Sequence, residues 1–297
     1  MSSDVLRHPF WVQHLRAHLD LARVSNSPTV ASNVLAGAAL GGALTLGTHT
    51  ALLMVSMVLF YTAGMYLNDV FDYAIDLQER PERPLPSGRL TLGEAILSTF
   101  LLFAVGLGLL ALVSSTALLG GVALLGLIVI YDLWHKANPL SPLLMAGTRM
   151  LVYLIASLAF SPRLNLALGT WTLLLGAYIV GLTYIAKTER RTDLARYWPV
   201  ALLASPAVYF ATFLTAAPSV AGFGLLTLFL VWLSSSLTFL YRPERRDVGR
   251  TVGYLIAGVS LLDALVLFSQ GAPAVFLLLA LGAFVLTLFW QRLIKGT

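Results

Sequence analysis

Asp69, Asp72 and Asp76 stand at i, i+3 and i+7 in the stretch Tyr66-Leu67-Asn68-Asp69-Val70-Phe71-Asp72-Tyr73-Ala74-Ile75-Asp76. Asn68, Asp72 and Asp76 stand at i, i+4 and i+8. On a helix both spacings bring the side chains to one face. Stacked carboxylates repel one another unless positive charge sits among them. A hard divalent cation such as Mg²⁺ takes oxygen ligands of this kind and shares its remaining positions with substrate phosphates. Asn68, Asp69, Asp72 and Asp76 are therefore candidate metal ligands, and the aspartates are candidate catalytic groups. The alternative is a solvated helix end whose acids pair with nearby arginines.

Those arginines follow directly. The loop Gln78-Glu79-Arg80-Pro81-Glu82-Arg83-Pro84-Leu85-Pro86-Ser87-Gly88-Arg89 carries Arg80, Arg83 and Arg89. Guanidinium binds phosphate through paired hydrogen bonds, so the three suit a diphosphate. The prolines and Gly88 restrict the turn that presents them.

The elements that must position this chemistry follow from composition. The chain has 297 residues, 58% hydrophobic and 11% charged, with no cysteine and a mean hydropathy of +0.83. A soluble domain carries about 25% charged residues. An ordinary soluble globule, a disordered chain and a disulfide-built domain are excluded, as are thiol chemistry and cysteine-ligated metals. What remains is an all-α polytopic membrane bundle of nine or ten helices, forming one domain over residues 1–297. The expected helices are 27–45, 50–74, 91–113, 116–133, 140–160, 166–186, 197–215, 219–240, 251–269 and 272–292. Residues 1–26 form a polar, basic segment without the pattern of a cleavable signal peptide. Within it, Pro9–Asp20 suits either an interfacial amphipathic helix or a helix packed on the bundle.

Of the 19 lysines and arginines, 17 fall in the N-terminal segment, alternate loops and the tail, on one side of the bundle. Arg163 lies opposite, and Arg149 lies inside a helix. By the positive-inside rule both termini and the acid-rich face are cytoplasmic, in a cell (inner) membrane. The net charge of +5 then reports topology and attraction to lipid headgroups, not nucleic acid. Of the 14 acids only Asp263 is deep in a helix; it reads as an interhelical hydrogen-bond partner.

The run from Asn68 to Arg89 closely resembles the first signature of the UbiA family of intramembrane prenyltransferases. That signature is Asn-Asp-x-x-Asp-x-x-x-Asp followed by Arg-Pro-Leu-Pro-Ser-Gly-Arg, here Arg83 to Arg89. The resemblance implies a helical bundle around a central cavity, a cytoplasmic Mg²⁺–diphosphate site and a lateral opening to lipid. It implies transfer of an isoprenyl group from a prenyl diphosphate to a small-molecule or lipid acceptor. The family's second motif, Asp-x-x-x-Asp, would correspond to Glu189 and Asp193, with glutamate replacing the first aspartate. These two join the metal ligands, and Lys136, Lys187 and Arg190 join the diphosphate contacts. Arg23, Asn26 and Asn33 fit the family's pattern near the acceptor pocket, and Arg149 is expected to face the cavity or pair with an acid such as Asp132. The segments Tyr131-Asp132 to Lys136, Met145 to Arg149 and Gly181 to Glu189 are similar to the EboC-like branch. Tyr66, Phe71, Tyr73, Tyr153 and Tyr178 are candidates to face a carbocation. A transporter with acidic cation sites, and a non-catalytic binding protein, are the competing readings. A transporter would call for helices broken at mid-membrane.

Overall fold

The computed structural model describes residues 9–135, 138–188, 197–241 and 246–294. Among them all regular structure is helical. Nine helices are long and apolar enough to cross a membrane: α3 (Thr48–Glu79), α4 (Leu92–Val113), α5 (Ser115–Trp134), α6 (Ser141–Leu158), α7 (Leu166–Lys187), α8 (Trp198–Ala216), α9 (Val220–Thr238), α10 (Val248–Ser269) and α11 (Ala274–Gln291). Before them come α1 (Phe10–Leu21), a 3₁₀ turn (Val24–Asn26) and α2 (Ser27–Leu40). Phe100, Leu112, Leu119, Val231 and Leu278 are exposed on the outer helices. A sheath of exposed large apolar side chains suits lipid rather than water. The chain is a multi-pass membrane protein.

Two boundaries differ from expectation by about five residues, more than the others, and both matter to the site. The helix expected over 27–45 ends at Leu40. Gly41 follows, and Gly42 takes φ 85°, which carries the backbone out of the helix. At 14 residues α2 is about 21 Å long, short of the roughly 30 Å hydrocarbon layer. It is nevertheless central, with 13 of its 14 residues buried among α3, α6, α10 and α11. Its close approach to α6 depends on glycine: a Cβ on Gly37 would stand 2.8 Å from the Tyr153 carbonyl oxygen, and one on Gly41 would collide with that of Ser157.

The second difference is α3. Expected to end at 74, it runs to Glu79 and is 32 residues long, about 48 Å. Its last turns therefore extend beyond the hydrocarbon. All three aspartates sit on this one continuous helix, and all three are buried. Leu85 and Leu90 anchor the following loop by burying against α1 and Tyr66. Thr91 then starts α4 with a capping box: Glu94 N–H donates to Thr91 Oγ1 (3.2 Å) and Thr91 N–H donates to Glu94 Oε2 (2.7 Å).

Helix α1 packs on the bundle through Ala17 and Leu21, while Trp11 and Leu15 stay exposed. Its inner face packs on the bundle, as one of the two expectations for this segment had it.

Candidate active site

Helices α2, α3, α5, α6, α7 and α10 enclose a cavity of about 340 Å³. That volume lies within the range of small-molecule sites. The walls are mostly apolar, with Met57 and Phe60 from α3, Leu124 and Ile128 from α5, Val152 from α6 and Ile256 from α10. Arg23, Asn68, Arg80, Arg83 and Asp132 gather at the basic end, and Arg149 lies deeper. Arg149 is eight residues into α6, about 12 Å along its axis.

Asp69 and Asp76 are held by arginines. Arg83 Nη1 lies 2.6 Å from Asp76 Oδ2 and 3.6 Å from Asp69 Oδ1, so one guanidinium spans the two. Arg23 Nη2 donates to Asp69 Oδ1 at 3.2 Å. Arg23 is the one non-glycine residue with positive φ among the described residues, at 44°. Its carbonyl accepts from the Tyr61 hydroxyl at 3.2 Å. A strained backbone conformation persists where surrounding contacts over-determine it. Asp72 lies 3.7 Å from His135 Nε2. Asn68 Nδ2 donates to Asp132 Oδ1 at 3.0 Å. The other Asp132 oxygen is buried without a hydrogen-bond partner. No three acidic or imidazole groups among the described residues converge closely enough to hold a metal ion.

The deeper pole is a separate network. Arg149 donates to Asn33 Oδ1 (2.9 Å) and Thr29 Oγ1 (3.3 Å), and its guanidinium lies 5.7 Å from the Tyr61 ring centre. Asn33 in turn donates to both oxygens of Asp263 at 2.9 Å. Ser32 and Tyr153 hydroxyls reach the same carboxylate at 2.5 Å each. The buried positive and negative groups are thus joined through Asn33, which offsets the cost of either charge alone.

Several expected residues lie elsewhere. Arg89 turns away from the cavity: it donates to the Glu82 carbonyl (2.8 Å) and reaches Asp20 (3.5 Å). Lys187 donates to the Asn138 carbonyl at 2.9 Å, bracing the α5–α6 connection. Asn33 is fully buried and outside the cavity lining, because its amide is committed to Arg149 and Asp263. Asn26 does line the cavity and accepts from Gln291 of α11 at 3.0 Å. Arg149 pairs through Asn33 with Asp263, not with Asp132. Lys136, Glu189, Arg190 and Asp193 lie outside the described residues.

The aromatic expectations are corrected. Tyr66, Phe71, Tyr73, Tyr153 and Tyr178 do not line the cavity; Phe60, Tyr61 and Tyr131 do. Tyr153 and Tyr178 instead spend their hydroxyls on Asp263 and the Leu255 carbonyl, and Tyr66 meets His18 at 2.6 Å. Asp132 was legible in the sequence as an acid in the last turn of an apolar helix, where the helix dipole disfavours it. Only the fold brings it to Asn68.

The UbiA prenyltransferase family model matches residues 27–246. A digeranylgeranylglyceryl phosphate synthase of Methanopyrus kandleri is 33% identical over 144 residues, which is 48% of this chain and 51% of that protein. One of Sulfurisphaera tokodaii is 31% identical over 160 residues, 54% of this chain and 56% of that protein. The chain spans about half the length of these curated relatives. A solved structure of a digeranylgeranylglyceryl phosphate synthase superposes with a TM-score of 0.59 at 17% identity, covering 92% of this chain and 99% of its own. A UbiA homolog from Archaeoglobus fulgidus bound to DMAPP and Mg²⁺ superposes with 0.58 at 15% identity, covering 90% and 99%. These two structures share the fold. The chain belongs to the UbiA prenyltransferase family.

Proposed function

We propose that this chain transfers an isoprenyl group from a prenyl diphosphate to an amphiphilic acceptor, with the diphosphate at the basic end of the cavity and that end facing the cytoplasm. The observation that carries this reading is one apolar cavity with Arg23, Arg80, Arg83 and Asp132 at its basic end and Arg149 in its depth, Asp69 and Asp76 standing outside the lining as partners of Arg23 and Arg83. In the reaction the bond between the allylic carbon and the diphosphate oxygen breaks. Negative charge grows on the departing diphosphate, and Arg80 and Arg83 face the end where it grows. The apolar walls keep water from the allylic cation. Phe60, Tyr61 and Tyr131 line the cavity, where an aromatic ring beside that cation would contribute up to about 2 kcal/mol when desolvated. The acceptor oxygen then bonds to the carbon and releases its proton. Asn26 and Arg149 line the cavity beyond the basic end, with Arg23 at the border between the two, and we assign the three to the acceptor.

The donor chemistry fits a divalent cation: Asp72 and Asp132 border one cavity, and one oxygen of Asp132 is buried with no hydrogen-bond partner. Of the motif residues, Asp72 would help hold it, beside Asn68, while Asp69 and Asp76 are paired to Arg23 and Arg83. When bound, Mg²⁺ would neutralise charge on the leaving diphosphate. The Archaeoglobus fulgidus neighbours bound to DMAPP or GPP with Mg²⁺ support the reading. The relatives' names make a glyceryl phosphate lipid the first acceptor to try. The transporter reading calls for spans broken at mid-membrane; each of the nine long helices among the described residues is continuous, while the short α2 stops at Leu40.

The test uses the purified chain in lipid nanodiscs with geranylgeranyl diphosphate, Mg²⁺ and geranylgeranylglyceryl phosphate. A prenylated ether lipid and released diphosphate are expected, both lost in Asp72→Asn. The proposal is overturned if neither this acceptor nor a membrane lipid extract yields a prenylated product from geranyl, farnesyl or geranylgeranyl diphosphate.

A further inference from the structure

We infer that Asp132, outside the aspartate motif, is a metal-holding group of this site together with Asp72, and that Asp69 and Asp76 serve chiefly to hold arginines. This rests on the reading of the site as metal-dependent.

The motif's carboxylates are not equivalent in the folded chain. Asp76 and Asp69 meet Arg83 at 2.6 and 3.6 Å, and Asp69 also meets Arg23 at 3.2 Å. A guanidinium in these positions already neutralises them and competes with a cation for the same oxygens. Asp132 differs. It is 6% exposed, one oxygen accepts from Asn68 at 3.0 Å, and the other is buried without a hydrogen-bond partner. Buried polar atoms are nearly always satisfied, so an orphaned carboxylate oxygen asks for an absent donor or ion. Its place in the last turn of α5 adds the unfavourable end of the helix dipole. A cation would answer both.

Position agrees. Asp132 borders the cavity described above, and with Asp72 it also borders a second cavity between the ends of α3 and α5. Asn68, the first residue of the motif, ties Asp132 to α3. Mg²⁺ is commonly held by one or two carboxylates and completes its shell with water and substrate phosphate. Two carboxylates therefore suffice, and no cluster of three is needed in the free protein.

The test is Mn²⁺ binding to the purified full chain in detergent, read by the loss of the free-ion EPR signal. Asp132→Asn should weaken Mn²⁺ roughly tenfold or more, and so should Asp72→Asn, whereas Asp69→Asn should change it far less. A carboxylate acting only by orienting Asn68 would lose its effect in an Asn68→Ala background. The loss on Asp132→Asn should persist there. Unchanged binding in Asp132→Asn, or a loss confined to the background with Asn68 intact, overturns the inference alone. Failure of the unaltered chain to bind Mn²⁺ overturns the metal-dependent reading as well. A second measurement needs no variant. Fe²⁺ with ascorbate and peroxide cleaves backbone near a bound metal, and fragments should end near both Asp72 and Asp132. Cleavage near Asp72 with none on α5 would refute the role of Asp132.

Discussion

The guanidinium of Arg83 reaches two carboxylates seven residues apart on α3, and so fixes the loop that carries Arg80 across the cavity mouth. A paired charge removed from one side leaves the other side buried and uncompensated. Arg83→Gln should therefore lower stability by about 1–3 kcal/mol, read by thermal or denaturant unfolding in detergent. It should also raise the KM for prenyl diphosphate roughly tenfold, since a charged phosphate contact is lost. Wild-type stability with wild-type KM would show that Arg83 is only a topology charge. The partners at this scale divide cleanly by what a sequence can reveal. The shared face of Asp69, Asp72 and Asp76 follows from helical spacing alone. The pairs Arg23–Asp69 and Asn33–Asp263 span 46 and 230 residues. No local periodicity relates residues so distant, so these contacts became visible only when the helices were assembled.

At the scale of elements, α2 explains why the deep pole can exist. A helix buried all round must satisfy its own polar side chains within the protein. Ser32, Asn33 and Thr29 do so through Asp263 and Arg149. The apolar run to residue 45 suggested a full span, but Gly41 and Gly42 end the helix, and hydropathy does not register a backbone turn. Gly41 also lets α2 lie against the backbone of α6, so Gly41→Leu should force the two helices apart. The expected result is a loss of about 1–3 kcal/mol from overpacking and a lower activity, because Asn33 and Arg149 sit on the two separated helices. An unfolding midpoint like the wild type's would exclude this account. Helix α1 answers to pH instead. Burial lowers the pKa of His18 below its ordinary 6.5, and nearby His14 lowers it further against a weaker opposing effect of Glu94. The docked helix thus favours the neutral ring. Docking should be intact above pH ~6.5 and weaken as pH falls through that value. Amide exchange in α1 should quicken at about pH 5.5 relative to about pH 7.5. Equal exchange at the two values, or an equal increase in His18→Gln, would rule out this residue as the cause.

Over the whole molecule the charges that would orient the bundle by the positive-inside rule are also those gathered around the aspartates. The basic loops that the positive-inside rule assigns to the cytoplasm are those that place Arg23, Arg80 and Arg83 around the aspartates. Were the bundle inverted, a diphosphate made in the cytoplasm could not reach that mouth without crossing the hydrocarbon. Orientation is therefore part of the functional proposal, and the chain offers a direct way to measure it. It contains no cysteine, so any introduced thiol is a unique reporter. Glu82 lies exposed in the loop between α3 and α4, and Arg163 lies exposed between α6 and α7 at the opposite end. On intact cells, a membrane-impermeant maleimide should label R163C and leave E82C unlabelled until the membrane is opened. Both should label after detergent treatment, which controls for reactivity. The reverse pattern would place the carboxylates outside and would contradict the proposed donor, since no cytoplasmic prenyl diphosphate would meet Arg80 and Arg83.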